Sequence, residues 1–246
     1  MCFDTDSEPP IPRISGASVS HEDLVLEAAD GNRFAAFLAQ PEEETATGIV
    51  VLPDVRGLYH FYEELALRFA ERGYAALAFD YFGRTAGVSK RDDEFDYPPH
   101  VEQTTGDGVR MDVAACVARL RDAGCTSIYT VGFCFGGSNS WLQAAGGHGL
   151  AGAIGFYGNP TRERNGPSVV ARVPEMTCPI LALQAGDDPN ITPELNETFE
   201  RALTDAGVEH ELVVYDGAPH SFFDRKQEEF ADASADAWSR TLSFIS

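Results

Sequence analysis

The chain has 246 residues, 43% of them hydrophobic and 23% charged, and a formal net charge of -21. That length and apolar share suffice for one large α/β domain with a sizeable core, and no apolar run reaches the ~18–20 residues of a membrane span. The acidic balance repels nucleic-acid phosphates and anionic membranes, so neither is an expected partner; it also repels an anionic substrate unless local arginines reverse the field at a pocket.

Residues 1–20 are polar, acidic and proline-rich. They lack the basic start and apolar stretch of a secretory signal, so they read as an irregular lead-in and the protein as cytoplasmic. Residues 21–246 read as a single domain. Residues 24–29 and 33–39 flank Asp30-Gly31-Asn32, which predicts strand, tight turn, strand. Residues 48–52 form a short apolar run and predict a buried strand. Helical spacing through Leu65 and Phe69 predicts a helix over 61–72, ended by Gly73, and 74–79 predicts the next strand. Residues 81–106 carry Gly83, Gly87, a charged run and Pro98-Pro99; they read as a long loop with room for a short helix. A stripe through Val109, Val113, Val117 and Leu120 predicts a helix over 107–123. Strands follow at 127–132, 150–157, 179–184 and 210–215, and helices at 135–145, 193–206 and 224–244. This alternation predicts an α/β fold, a mostly parallel central sheet with helices on both faces, and places the chemistry just after the strands.

Five cysteines, an odd number without C-x-x-C spacing, point away from a disulfide framework or a zinc site. Most of them, among Cys2, Cys116, Cys125 and Cys178, read as small core residues. Cys134 differs. It stands in Gly132-Phe133-Cys134-Phe135-Gly136, a G-x-C-x-G joining a strand directly to a helix. That is a nucleophile elbow with cysteine in place of serine: the glycines let strand and helix approach, and the helix N-terminus favours a thiolate. The second segment, Gly186-Asp187-Asp188-Pro189, follows the strand at 179–184 and offers two carboxylates to orient a histidine. Asp188 is the preferred one and Asp187 a turn residue. The third segment, Pro219-His220-Ser221-Phe222, follows the strand at 210–215. The order Cys134, Asp188, His220 is the nucleophile–acid–base order of an α/β-hydrolase fold, which is more specific than any of the three residues alone.

At these residues the sequence resembles the dienelactone hydrolase family (carboxymethylenebutenolidases), from about Leu24 to the C-terminus. The cysteine elbow is the most specific mark, joined by Tyr157-Gly158 and His220-Ser221-Phe222. The resemblance implies a compact α/β-hydrolase fold, hydrolysis of an ester or lactone bond through a thioester, and no metal or cofactor. It also implies an acid after the strand at 48–52, here Asp54, one methylene shorter than the glutamate common in the family, which helps form the thiolate. Arginines that hold a substrate carboxylate are implied as well; Arg225, Arg84 and Arg56 are the candidates. The backbone N–H groups of Val55 and Phe135 are the expected oxyanion donors. Tyr157, Phe222 and Trp141, with Tyr81, Phe82 and Phe156, are candidate pocket walls, with plain core packing an equal reading for each. The expected partner is a small ester or lactone, and the expected assembly a monomer or small homo-oligomer. Two other readings stay open: an esterase or lactonase of different specificity, and a catalytically silent binding or redox-sensing homologue.

Overall fold

Along each central strand, successive apolar side chains enter different cores. Ile49 and Val51 face one layer while Val50 and Leu52 face the other; Leu181 and Leu183 alternate with Ile180 and Ala182 in the same way. A strand apolar on both faces must be covered on both faces, and helices do the covering. The computed structural model describes residues 3, 4, 6–163 and 166–246, so Cys2 lies outside the described residues.

The strands are β1 (Val19–Glu27), β2 (Arg33–Pro41), β3 (Thr47–Leu52), β4 (Ala75–Phe79), β5 (Ser127–Phe133), β6 (Gly152–Phe156), β7 (Ile180–Asp187) and β8 (His210–Pro219). They form one sheet in the order β1-β2-β4-β3-β5-β6-β7-β8. β1 with β2 and β2 with β4 pair antiparallel; the remaining pairs are parallel. The helices are α1 (His60–Ala70), α2 (Gly83–Ala86), α3 (Pro98–Gln103), α4 (Gly106–Asp122), α5 (Phe135–Gln143), α6 (Val169–Arg172), α7 (Pro193–Asp205) and α8 (Ala231–Ile245). α1 and α8 cover one face through Phe61, Leu65, Phe69, Ala237 and Trp238. α4, α5 and α7 cover the other through Val113, Val117, Trp141, Phe199 and Leu203.

Local chemistry starts and stops these elements. Thr105 caps α4 by accepting the Gly108 N–H at 3.1 Å, and Pro193 opens α7. The β1–β2 turn uses Gly31 at φ +82°, while the Asp30 side chain accepts the Asn32 N–H. The long loop after β4 contains two short helices, α2 and α3, rather than one. It is pinned by Arg91, whose guanidinium meets Asp80 at 2.6 Å, both side chains being buried.

Several boundaries differ from the sequence reading: β1 starts at Val19 rather than 24, inside the expected lead-in, and β8 runs to Pro219 rather than 215. The last helix begins at Ala231 rather than at 224, because residues 224–227 turn to meet the N-terminal segment. The Asp224 carboxylate accepts the Ser7 hydroxyl at 2.6 Å, the Arg225 N–H donates to Glu8 at 2.9 Å, and Lys226 pairs with Asp6. The lead-in is correspondingly less loose than its composition suggests. Phe3 and Ile11 are buried, and Phe3 stacks on Phe61 with ring centroids 3.9 Å apart. Cys116, Cys125 and Cys178 are buried free thiols, each pushed upward in pKa first of all by that burial. Among the described residues, no helix is long and apolar enough to cross a membrane.

Candidate active site

Parallel pairing aligns strand ends, and here it aligns the chemistry. Phe133 of β5 is in register with Phe156 of β6, so Cys134 and Tyr157 emerge side by side. Asp187 of β7 is in register with Pro219 of β8, so Asp188 and His220 are the next residues out. Cys134, Tyr157, Asp188 and His220 all line one cavity of about 360 Å³ at the carboxyl ends of the strands.

The turn at Cys134 is sharp. The residue has φ +56°, in the half of backbone space that L side chains rarely adopt. Gly132 and Gly136 make this turn sterically feasible. A Cβ on Gly132 would sit 1.9 Å from the Gly136 carbonyl oxygen, and one on Gly136 would sit 2.0 Å from that of Leu52. β5, α5 and the end of β3 therefore pack backbone to backbone only with glycine at both positions. Tyr157 at φ +36° and Ser221 at φ +65° are the other described non-glycine residues with positive φ; Tyr157 lines the same cavity, and Ser221 directly follows His220, which does.

The Asp188 carboxylate is buried. It accepts a hydrogen bond from His220 Nδ1 and one from the Asn190 N–H at 2.8 Å. Burial opposes its ionisation, but the bonds from His220 and Asn190 outweigh that and hold it below the usual carboxylate range. Asp187, the neighbouring alternative, ends β7 exposed to solvent. His220 packs on Tyr157, ring centroids 4.9 Å apart.

Asp54 follows β3 and is fully buried. Its carboxylate accepts the Arg56 N–H at 2.8 Å and the Tyr59 hydroxyl at 3.0 Å. Burial nevertheless dominates and pushes its pKa up to about 6. Tyr81 lies beneath, its phenol raised by burial and then by the nearby charges of Asp54, Asp80 and Cys134. Val55 and Phe135 line the cavity, and among the described residues neither backbone N–H has a protein acceptor.

Several candidates lie elsewhere. Trp141, on the buried face of α5, donates its indole N–H to the Leu181 carbonyl at 3.1 Å and packs on Phe199; it is a core residue rather than a pocket wall. Phe222 is fully buried between Tyr157 and Tyr215. Arg84 points away from the cavity because the buried Asp112 carboxylate, at 2.6 Å, and Asp30 engage it. Arg225 pairs with Glu8 of the N-terminal segment. Arg56 borders a separate cavity with Asp4, Asp92 and Asp93. Among the described residues, the arginine that lines the Cys134 cavity is Arg162, in the loop after β6. Its N–H is bound by the Asn159 side chain, and among the described residues its guanidinium has no carboxylate partner. That loop has no periodicity, so nothing in the sequence singles Arg162 out.

Among the described residues no cluster of His, Cys, Asp and Glu is arranged to hold a metal ion.

Residues 34–246 match the model of the Dienelactone hydrolase family. The "Putative carboxymethylenebutenolidase" of Yersinia pestis is 26% identical over 228 residues, covering 88% of this chain and 85% of that protein. The protein of the same name in Saccharolobus solfataricus is 29% identical over 253 residues, covering 88% and 95%. A Klebsiella pneumoniae crystal structure titled as a putative dienelactone hydrolase superposes with a TM-score of 0.82 over 93% of this chain and 98% of that one. At 24% identity it shows the shared fold.

Proposed function

The chain belongs to the dienelactone hydrolase family, and from that premise we propose that it hydrolyses ester or lactone bonds with Cys134 as nucleophile, His220 as base and Asp188 as the group that orients His220. The observation that carries this is the convergence of all three on a cavity that also presents two N–H groups, those of Val55 and Phe135, without acceptors among the described residues.

In this mechanism the Cys134 thiol gives its proton to His220 and the sulfur attacks the substrate carbonyl carbon. The carbonyl π pair moves to oxygen, where Val55 and Phe135 N–H stabilise it; one such donor is typically worth ~2.7–4 kcal/mol. The C–O bond to the leaving group breaks, that oxygen takes the proton from His220, and the acyl group stays on sulfur as a thioester. Water then loses a proton to His220 and attacks the thioester, the C–S bond breaks, the proton returns to sulfur, and the acid is released. Asp188 keeps the imidazole turned and stabilises its charged form. A free thiol, with its pKa near 8.5, is only a few per cent ionised at neutral pH. Asp54, titrating at about 6 and so charged at that pH, is a second base that can take the thiol proton when His220 is already protonated. Arg162 supplies the positive charge for a carboxylate on the substrate.

Cys134→Ala is expected to lower turnover of p-nitrophenyl acetate and of a dienelactone by at least about 10³-fold with an unchanged circular dichroism spectrum. Retained activity in a folded variant overturns the assignment.

A further inference from the structure

We propose that the reaction cavity continues along α5 into a second chamber, so that the substrate is an ester with an extended apolar arm and a polar tip. This rests on the hydrolase reading above and specifies the class of its substrate.

A chamber of about 240 Å³ adjoins the Cys134 cavity, and the two share Phe135, Asn139, Leu142 and Pro167. The α5 residues that line the two spaces are 135, 138, 139, 142 and 143, spaced i, i+3, i+4, i+7, i+8. That spacing marks one face of one helix, so the two chambers form one groove with α5 as its floor. From Cys134 to Gln143 the floor runs about 14 Å at 1.5 Å per residue. An extended chain of roughly ten to twelve bonds covers that distance. The two volumes together suit a drug-sized ligand, which occupies ~300–1,000 Å³, rather than a single small ring.

The lining changes character along the way. Phe135, Leu142 and Pro167 make the shared neck apolar, whereas Thr105, Arg110 and Arg172 border the far chamber. Asn139 sits at the neck and is only 6% exposed. Its amide donates to the Phe135 carbonyl at 2.9 Å, and among the described residues its Oδ1 has no donor. An amide oxygen left without a protein donor at the neck of a groove is suited to a hydroxyl or amide N–H carried on the arm.

The test is a chain-length series on both sides of the ester: p-nitrophenyl alkanoates from acetate to octanoate, and acetates of the matching alcohols. Burial of each methylene is worth roughly three- to fourfold. In at least one series kcat/KM is expected to rise at least about thirtyfold from the shortest to the longest member. Leu142 is partly exposed at the neck, so Leu142→Trp closes the passage. It is expected to cut the long-to-short ratio at least about tenfold, with Leu142→Phe intermediate. Acetate turnover with a flat profile in both series overturns the groove and leaves the hydrolase reading standing. A long-to-short ratio that Leu142→Trp and Leu142→Phe leave unmoved also overturns it. Loss of all ester turnover overturns the hydrolase reading, and the groove falls with it.

Discussion

Asp54 and Asp188 show how two carboxylates near one cavity are driven in opposite directions. Asp188 ionises more readily in the fold than outside it, because His220 and Asn190 bind its charged form. Its stabilisation is present above the ordinary carboxylate pKa and is lost as pH falls. Asp54 is the reverse: burial raises it to about 6 from the ordinary carboxylate value near 4. Folding therefore takes up a proton between those pH values. The charged carboxylate costs stability above pH 6, up to about 3 kcal/mol, and the cost disappears as pH falls toward 4. Asn in its place keeps an acceptor for the Arg56 N–H, and the Tyr59 hydroxyl can turn to accept from its amide. In urea melts Asp54→Asn is expected to be more stable than the parent at pH 8 and to lose that advantage by pH 4. An advantage independent of pH disproves the shift. Cys134 was legible in the sequence because its glycines encode a close approach of backbones, which leaves few alternatives. The arginines were not. A guanidinium's partner is set by distances across the fold, and Arg84 finds Asp112 while Arg162, in a loop, finds no carboxylate among the described residues.

Elements were legible wherever a period exists. The strand and helix alternation follows from apolar spacing, and so do α4 and α5. Boundaries without a period were not, which is why the last helix starts at Ala231 and not at the expected 224, and why the irregular lead-in gives no sign of its buried residues. Phe3 and Ile11 lie eight residues apart in a segment matching neither helix nor strand spacing, yet both reach the core. Phe3 contacts Phe61, Tyr62, Phe133 and Tyr157, so it packs beneath the strand ends that carry the site. Phe3→Ala is expected to destabilise the fold by about 3–4 kcal/mol in equilibrium denaturation, the usual cost of emptying a buried aromatic site. A change below about 1 kcal/mol means that the segment is only loosely applied to α1.

At the scale of the molecule, a net charge of -21 surrounds a site that we read as binding a carboxylate. Long-range repulsion slows an anionic ester, and Arg162 offsets it locally. Arg162→Gln is expected to raise KM for a carboxylate-bearing ester at least about tenfold more than for a neutral one at low salt. The gap narrows at 0.5 M NaCl, where the Debye length falls to a few ångströms. Equal effects on both esters exclude Arg162 as the carboxylate ligand. The sheet has a consequence of its own. The family match begins at Phe34, beyond β1, yet β1 pairs with β2 along nine residues from Val19↔Pro41 to Glu27↔Arg33. β2 is buried and apolar, whereas β1 carries His21, Glu22 and Asp23 outward. β1 thus caps the edge of β2. It occupies the hydrogen-bonding rim of an apolar neighbour and presents charge in its place, so that a chain shortened to residues 34–246 would expose a template on which copies of itself could stack.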